Sequence, residues 1–263
     1  MADYLLDQQE EQARRRFQRK AEIQDPATKS YLDRIGVAQG WRCLEVGGGG
    51  GSIAAWLCER VGARGGVVAT DIEPRFLRLL DLANLEVLEH NVVTDDLPGA
   101  FDLVHAREVL CHLPEREEVL AKLARAVRPG GWILIEDVDI STDQPDPESP
   151  GPERALYEKV TSAIFAFLGQ RGLDLRFGAR LPRLLERAGF EQICSEGRIH
   201  LFRGGADHWR SAHMMAFAQL QEPVVATGAV TNREYSSFLE LADRPGFGWR
   251  EALMLASWGH RPV

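Results

Sequence analysis

Five consecutive glycines, Gly47 to Gly51, stand between a short apolar stretch at residues 41–46 and a helix-compatible stretch that begins at Ser52. Glycine lets the backbone take positive φ and lets a ligand approach the main chain without meeting a Cβ. The free N–H groups of a following helix favour anionic or electron-rich groups. A strand, a glycine turn and a helix in that order make a site for a nucleotide-type ligand. The dinucleotide spacing G-x-G-x-x-G/A fails from Gly47, where Ser52 falls third, and from Gly48, where Ile53 does; it passes at Gly49, Gly51 and Ala54. Five glycines in a row make that last match easy to reach. A second frame starts from an acid, Glu45, and runs through Gly47, Gly49 and Gly51.

Two further polar residues stand at the ends of apolar runs. Asp71 closes residues 67–71, where a second parallel strand delivers a carboxylate to ribose hydroxyls. It also suits the N-cap of a helix opened by Pro74. Asn91 ends the run that begins at Leu85; its side-chain carbonyl can accept from an amino group or close an Asx turn.

The elements that must hold these residues alternate. Strand-like runs at 41–46, 67–71, 85–92, 101–107 and 132–138 are interleaved with turns and with a helix whose apolar positions are Val119, Leu120, Leu123 and Val127, ended by Arg128-Pro129-Gly130-Gly131. Repeated βα units imply a parallel sheet with right-handed crossovers. A run dense in Pro, Asp, Ser and Glu at 141–152 reads as a surface loop, and Leu156, Val160, Ile164, Phe167 and Leu168 then recur at helical spacing. That face suits ordinary core packing or the wall of a substrate pocket. A helix over 181–190, strands over 192–202 and 252–258, and helical segments at 208–220 and 234–242 complete the pattern.

Glu45-x-Gly47-x-Gly49-x-Gly51 resembles motif I of the class I S-adenosylmethionine-dependent methyltransferases. The stretch from Phe101 to Asp139, with His112-Leu113-Pro114 and Arg128-Pro129-Gly130-Gly131, is similar to the same region of the small-molecule branch that serves secondary metabolism and quinone biosynthesis. Asn91 stands where family members commonly carry Asp. The resemblance implies an α/β, Rossmann-like, seven-stranded, mostly parallel sheet with helices on both faces, its last two strands antiparallel at one edge. It implies a helical lid over residues 1–35, including Tyr4, Phe17 and Tyr31, and a methyltransferase domain over 36–263 with cap elements around 141–180 and 204–245.

The implied cofactor is S-adenosylmethionine, held by Glu45, Gly47, Gly49, Gly51, Asp71, Ile72, Asn91 and Val92, with His105 lining its methionine end. The implied reaction is methyl transfer to a small molecule, a hydroxyl or amine of an aromatic or polyketide-like metabolite. His112 and Asp137 fall where several related O-methyltransferases place a histidine and an acid, and Glu136 is the alternative acid. Positioning alone suffices for a neutral amine, so a base is not required. His200 and His213 read as structural. The competing readings are a nicotinamide-dependent oxidoreductase using Gly49, Gly51 and Ala54, or a protein or cyclase on the same fold that binds the cofactor without transfer.

Composition bounds the rest. A length of 263 residues suffices for one α/β domain with additions. A net charge of -8 argues against a nucleic-acid partner. The four cysteines, Cys43, Cys58, Cys111 and Cys194, show neither metal nor disulfide spacing, and the acids around Asp137-x-Asp139 do not make a convergent oxygen site, so no metal is expected. With no membrane-length apolar run and no signal pattern at Met1, a cytoplasmic monomer or homodimer is expected.

Overall fold

The computed structural model describes residues 10–205 and 212–263. In chain order the elements are α1 (Glu10–Ile35), β1 (Arg42–Val46), α2 (Ser52–Val61), β2 (Gly66–Asp71), β3 (Leu85–Glu89), β4 (Phe101–Arg107), α3 (Arg116–Ala126) and β5 (Val127–Asp139). They continue with β6 (Gln144–Pro145), α4 (Gly151–Gly169), α5 (Phe177–Arg187), β7 (Glu191–Arg198), β8 (Leu201–Arg203), α6 (Ala212–Gln219), α7 (Gln221–Val225), α8 (Asn232–Glu240), β9 (Gly248–Arg250) and β10 (Leu253–His260). Tyr4 and residues 208–211 lie outside the described residues, and so does the side chain of His213.

The chain divides into two compact units. The sheet unit comprises residues 21–138, 176–197 and 254–263. Its seven strands run β3-β2-β1-β4-β5-β10-β7, and β1 pairs parallel with β2 and β4, as do β2 with β3 and β4 with β5. The order reverses between β1 and β4, the switch point outside which open α/β sheets bind ligands. Burial along nearly the whole strand, as in β4 from Phe101 to Ala106, is what a sheet covered on both faces produces. Leu57 and Val61 of α2 pack with Leu32, Cys43, Val67, Leu103 and Leu134 in one apolar cluster. Tyr31, expected in a lid, belongs to that cluster and stacks on Trp258 at 5.2 Å; its ring is a core element because it is only 2% exposed.

Three local expectations change. No α-helix joins β2 to β3. The linker carries only a 3-10 turn at Leu77–Leu79, which sends Leu77 and Leu80 back against the glycine turn. Arg128-Pro129-Gly130-Gly131 does end α3, but it is also the start of β5, absorbed by a register shift opposite Phe101 and Leu103. Finally, the strand expected over 192–202 is two strands in two sheets, β7 and β8, parted at Ile199 and His200.

The helical unit comprises residues 139–175 and 198–253 together with the N-terminal residues to Lys20. A three-stranded sheet, β6-β9-β8, is antiparallel throughout. Tyr157 of α4 lies between Phe238 and Phe247 at 5.4 and 5.6 Å, and its hydroxyl donates to Asp143. Helix α8 starts at a reciprocal capping box between Thr231 and Glu234.

One close approach in the sheet unit is decisive for α5: a Cβ at Gly178 would collide with the Asp137 carbonyl oxygen. Gly178→Ala should therefore cost about 1–3 kcal/mol by overpacking. Gly151→Ala, with nothing within 4 Å of the added carbon, should change stability by less than about 0.5 kcal/mol. Urea denaturation of both variants checks the contrast.

Candidate active site

At the end of β1 the backbone turns through Gly47, Gly49 and Gly51, with φ of 66, 50 and 81°. These are the alternate glycines of the frame that starts at Glu45. Each needs the left-handed region that side chains avoid, and Gly47 also needs the space, because a Cβ there would run into Val109. Gly51 caps α2 with no side-chain acceptor at that helix start, so orphan N–H groups remain at the turn.

Asp71, the last residue of β2, holds this turn in place. Its Oδ2 accepts from Gly49 N at 2.9 Å and its Oδ1 accepts from Glu73 N at 3.0 Å. Burial raises its pKa, against those two N–H bonds. Each carboxylate oxygen keeps acceptor capacity beyond the one bond, so Asp71 can serve the turn and a ligand's hydroxyls together. The helix it was expected to cap does not form. Directly after it, Ile72 is 55% exposed, an unusual position for a large apolar side chain. Asn91 forms the Asx turn, its Oδ1 accepting from Val93 N at 3.0 Å, and Val92 beside it is buried.

His105 does not line a ligand surface as expected. It is fully buried at the centre of the sheet, with Nδ1 2.5 Å from Glu45 Oε2 and Nε2 3.0 Å from Glu136 Oε1. Both ring nitrogens donate only in the imidazolium form. Burial opposes that charge, but Glu45 and Glu136 outweigh it and raise the pKa to about 9. The network continues outward. Thr28 donates to Glu136 at 2.7 Å and accepts from Arg107 at 2.8 Å, and Arg107 also pairs with Asp25 at 2.9 Å.

Asp25, Thr28, Arg107 and Glu136 as a network were missed in the sequence. The signals were present: His105 and Arg107 are two apart on a strand and so share a face, Asp25 and Thr28 are three apart on a helix, and an acid stands in the apolar run of β5.

Asp137, expected as a catalytic acid, is wholly buried. Its carboxylate accepts from the backbone N–H of Cys111 at 3.0 Å and of Val138 at 3.2 Å. Burial pushes its pKa up to about 7, opposed by the bonds from Cys111. With no exposed atom it cannot touch a substrate, and it acts instead as an anchor for the 3-10 turn Leu110–His112. His112 is exposed at the end of that turn. Among the described residues no group of acids, histidines and cysteines converges as a metal site, and no helix is long and apolar enough to cross a membrane.

A parallel sheet reversing at β1/β4, a glycine turn at that point and an acid on the neighbouring strand define the class I methyltransferase fold. The family model described as a methyltransferase domain matches residues 5–195. The chain belongs to this family, the class I S-adenosylmethionine-dependent methyltransferases.

The methyltransferase str3 of Strobilurus tenacellus is 32% identical over 64% of this chain and 60% of its own length. A ubiquinone biosynthesis O-methyltransferase of Chromobacterium violaceum is 30% identical over 44% of this chain and 52% of its own. The chain thus spans just over half the length of these curated relatives. Among solved structures, phosphoethanolamine N-methyltransferase 2 of Haemonchus contortus, in complex with phosphomonomethylethanolamine and S-adenosylhomocysteine, superposes with a TM-score of 0.51 at 17% identity. The match covers 90% of this chain and 53% of that one, a likeness of fold.

Two pH windows follow from the buried groups. His105 is raised from 6.5 to about 9, so its contribution is complete below pH 6.5 and is lost as pH rises to about 9. Asp137 is raised from 3.8 to about 7, so the folded state holds a proton the unfolded chain has released, and stability falls across that lower window. In thermal melts His105→Gln should flatten the upper window and Asp137→Asn the lower. A wild-type melting temperature constant from pH 6.5 to 9 contradicts the imidazolium assignment.

Proposed function

We propose that the protein transfers the methyl group of S-adenosylmethionine to a small-molecule acceptor, a hydroxyl or amine of an aromatic or polyketide-like metabolite. The observation that carries the donor half is the single hydrogen bond from Gly49 N to Asp71. It couples three left-handed glycines to a carboxylate with acceptor capacity to spare. Family membership supports the same donor, and a relative named for ubiquinone biosynthesis supports a small acceptor.

Bound at this site, the cofactor supplies a sulfonium-activated methyl group. In this reading Asp71 accepts from the ribose hydroxyls, and Ile72 and Val92 flank the adenine. The remaining lone pair of Asn91 Oδ1 takes the adenine amino group. Gly47, Gly49 and Gly51 bring bare backbone to the methionine side, under which Glu45 is fixed by His105. His112 is the proton acceptor for a hydroxyl substrate, placed by Asp137 through the Cys111 backbone. The same reading puts the reaction in the cytoplasm, with a monomer or homodimer and no nucleic-acid partner.

Incubation with methyl-labelled S-adenosylmethionine and a panel of phenols and amines should label at least one of them. Absence of transfer at saturating cofactor favours a protein that only binds it. Asp71→Asn keeps an oxygen for Gly49 but loses the charge. Calorimetry should show about 10- to 100-fold weaker S-adenosylhomocysteine binding, as expected for a lost charged acceptor, and unchanged affinity removes Asp71 from the ribose. His112→Ala should lower turnover on phenols about 10²-fold or more while leaving cofactor affinity alone.

A further inference from the structure

Arg16 lies in the helical unit, 6% exposed, and its Nη2 is buried without any hydrogen-bond partner. Its Nη1 reaches only Gln219 Oε1, at the 3.5 Å limit, and its guanidinium carbon lies 5.3 Å from the centre of the neighbouring Phe17 ring. A buried guanidinium whose terminal nitrogen finds no partner among the described residues is costly to desolvate.

The chain treats its other deeply placed arginine differently. Arg107, 11% exposed at its side chain, has Asp25 on one terminal nitrogen and Thr28 on the other. The buried hydroxyls of the helical unit are likewise satisfied: Ser149 donates to the Gly248 carbonyl and accepts from its N–H, and Thr161 donates to the Tyr157 carbonyl. Arg16 departs from that rule.

We infer that Arg16 is an anion-recognition site of the helical unit, and that it takes a carboxylate or a phosphate monoester. The guanidinium fork matches either oxyanion with paired N–H bonds, and no carboxylate among the described residues pairs with it. The flat part of the ligand follows from what adjoins the guanidinium. Its carbon lies over the Phe17 ring, so an aromatic face is present beside the fork. An acidic aromatic compound fits that combination.

Calorimetry with benzoate, phenyl phosphate and benzyl alcohol on the full chain separates the possibilities. One of the two anions should bind and benzyl alcohol should bind at least tenfold more weakly; which anion binds distinguishes carboxylate from phosphate recognition. Arg16→Met, of similar length and uncharged, should weaken the anion at least tenfold. Arg16→Lys should fall between, and S-adenosylhomocysteine affinity should be unchanged in both. Failure of both anions to bind the unmodified protein overturns the inference, as does equal anion affinity in Arg16→Met, even with a raised melting temperature. The comparison of anions with benzyl alcohol needs no variant, so the inference is decided even if Arg16→Met does not fold. Failure of S-adenosylhomocysteine to bind the unmodified protein contradicts the donor reading instead and leaves the anion result standing.

Discussion

A positive imidazolium caught between two carboxylates sits at the point on which the rest of the sheet unit depends. Glu45, His105 and Glu136 come from three adjacent strands, β1, β4 and β5, and meet where exposure is near zero. Removing one partner leaves an uncompensated buried charge, a loss of roughly 3–5 kcal/mol. Replacing the whole cluster with apolar groups could be harmless to stability, so its presence calls for another reason. That reason is geometric: β1 must deliver Glu45 immediately before the glycine turn, and the cluster fixes the end of β1 against both strands across the switch point. Through Thr28 and Arg107 the same charges hold residues 25–28 of α1 to the strand ends. Pro26 lies between those contacts, where the helix forgoes one internal hydrogen bond.

The strands of the sheet unit were legible because burial on two faces writes an apolar run and glycine and proline punctuate it. Phe101–Arg107 has the expected bounds, and β1, β2 and β10 differ by a residue or two. The linker between β2 and β3 was misread, because Pro74 and its leucines serve a 3-10 turn packed on the glycines and not a helix. The split of 192–202 between two sheets was not legible, since nothing in the local alternation marks a change of partner.

In the candidate site the backbone requirement was readable and the side-chain geometry was not. The frame from Glu45, taken for its resemblance to motif I, singled out Gly47, Gly49 and Gly51, the glycines of the run with positive φ. Histidine and acid identities said nothing of depth, and so His105 and Asp137, expected at a ligand surface, turned out to be buried supports. Burial raises the Asp137 pKa, whereas Glu45 and Glu136 raise that of His105 against its burial. The helical unit resists reading for a further reason. Its residues are drawn from three separate stretches of chain, and its aromatic array of Phe165, Phe217, Phe238 and Tyr157 forms only when two of those stretches meet.

The function turns on which nucleotide the glycine turn accepts. Calorimetric titration of the unmodified protein with S-adenosylhomocysteine and with NAD, side by side, tests it most directly. Saturable binding of S-adenosylhomocysteine with no heat from NAD is the predicted result, and binding of NAD alone would contradict it.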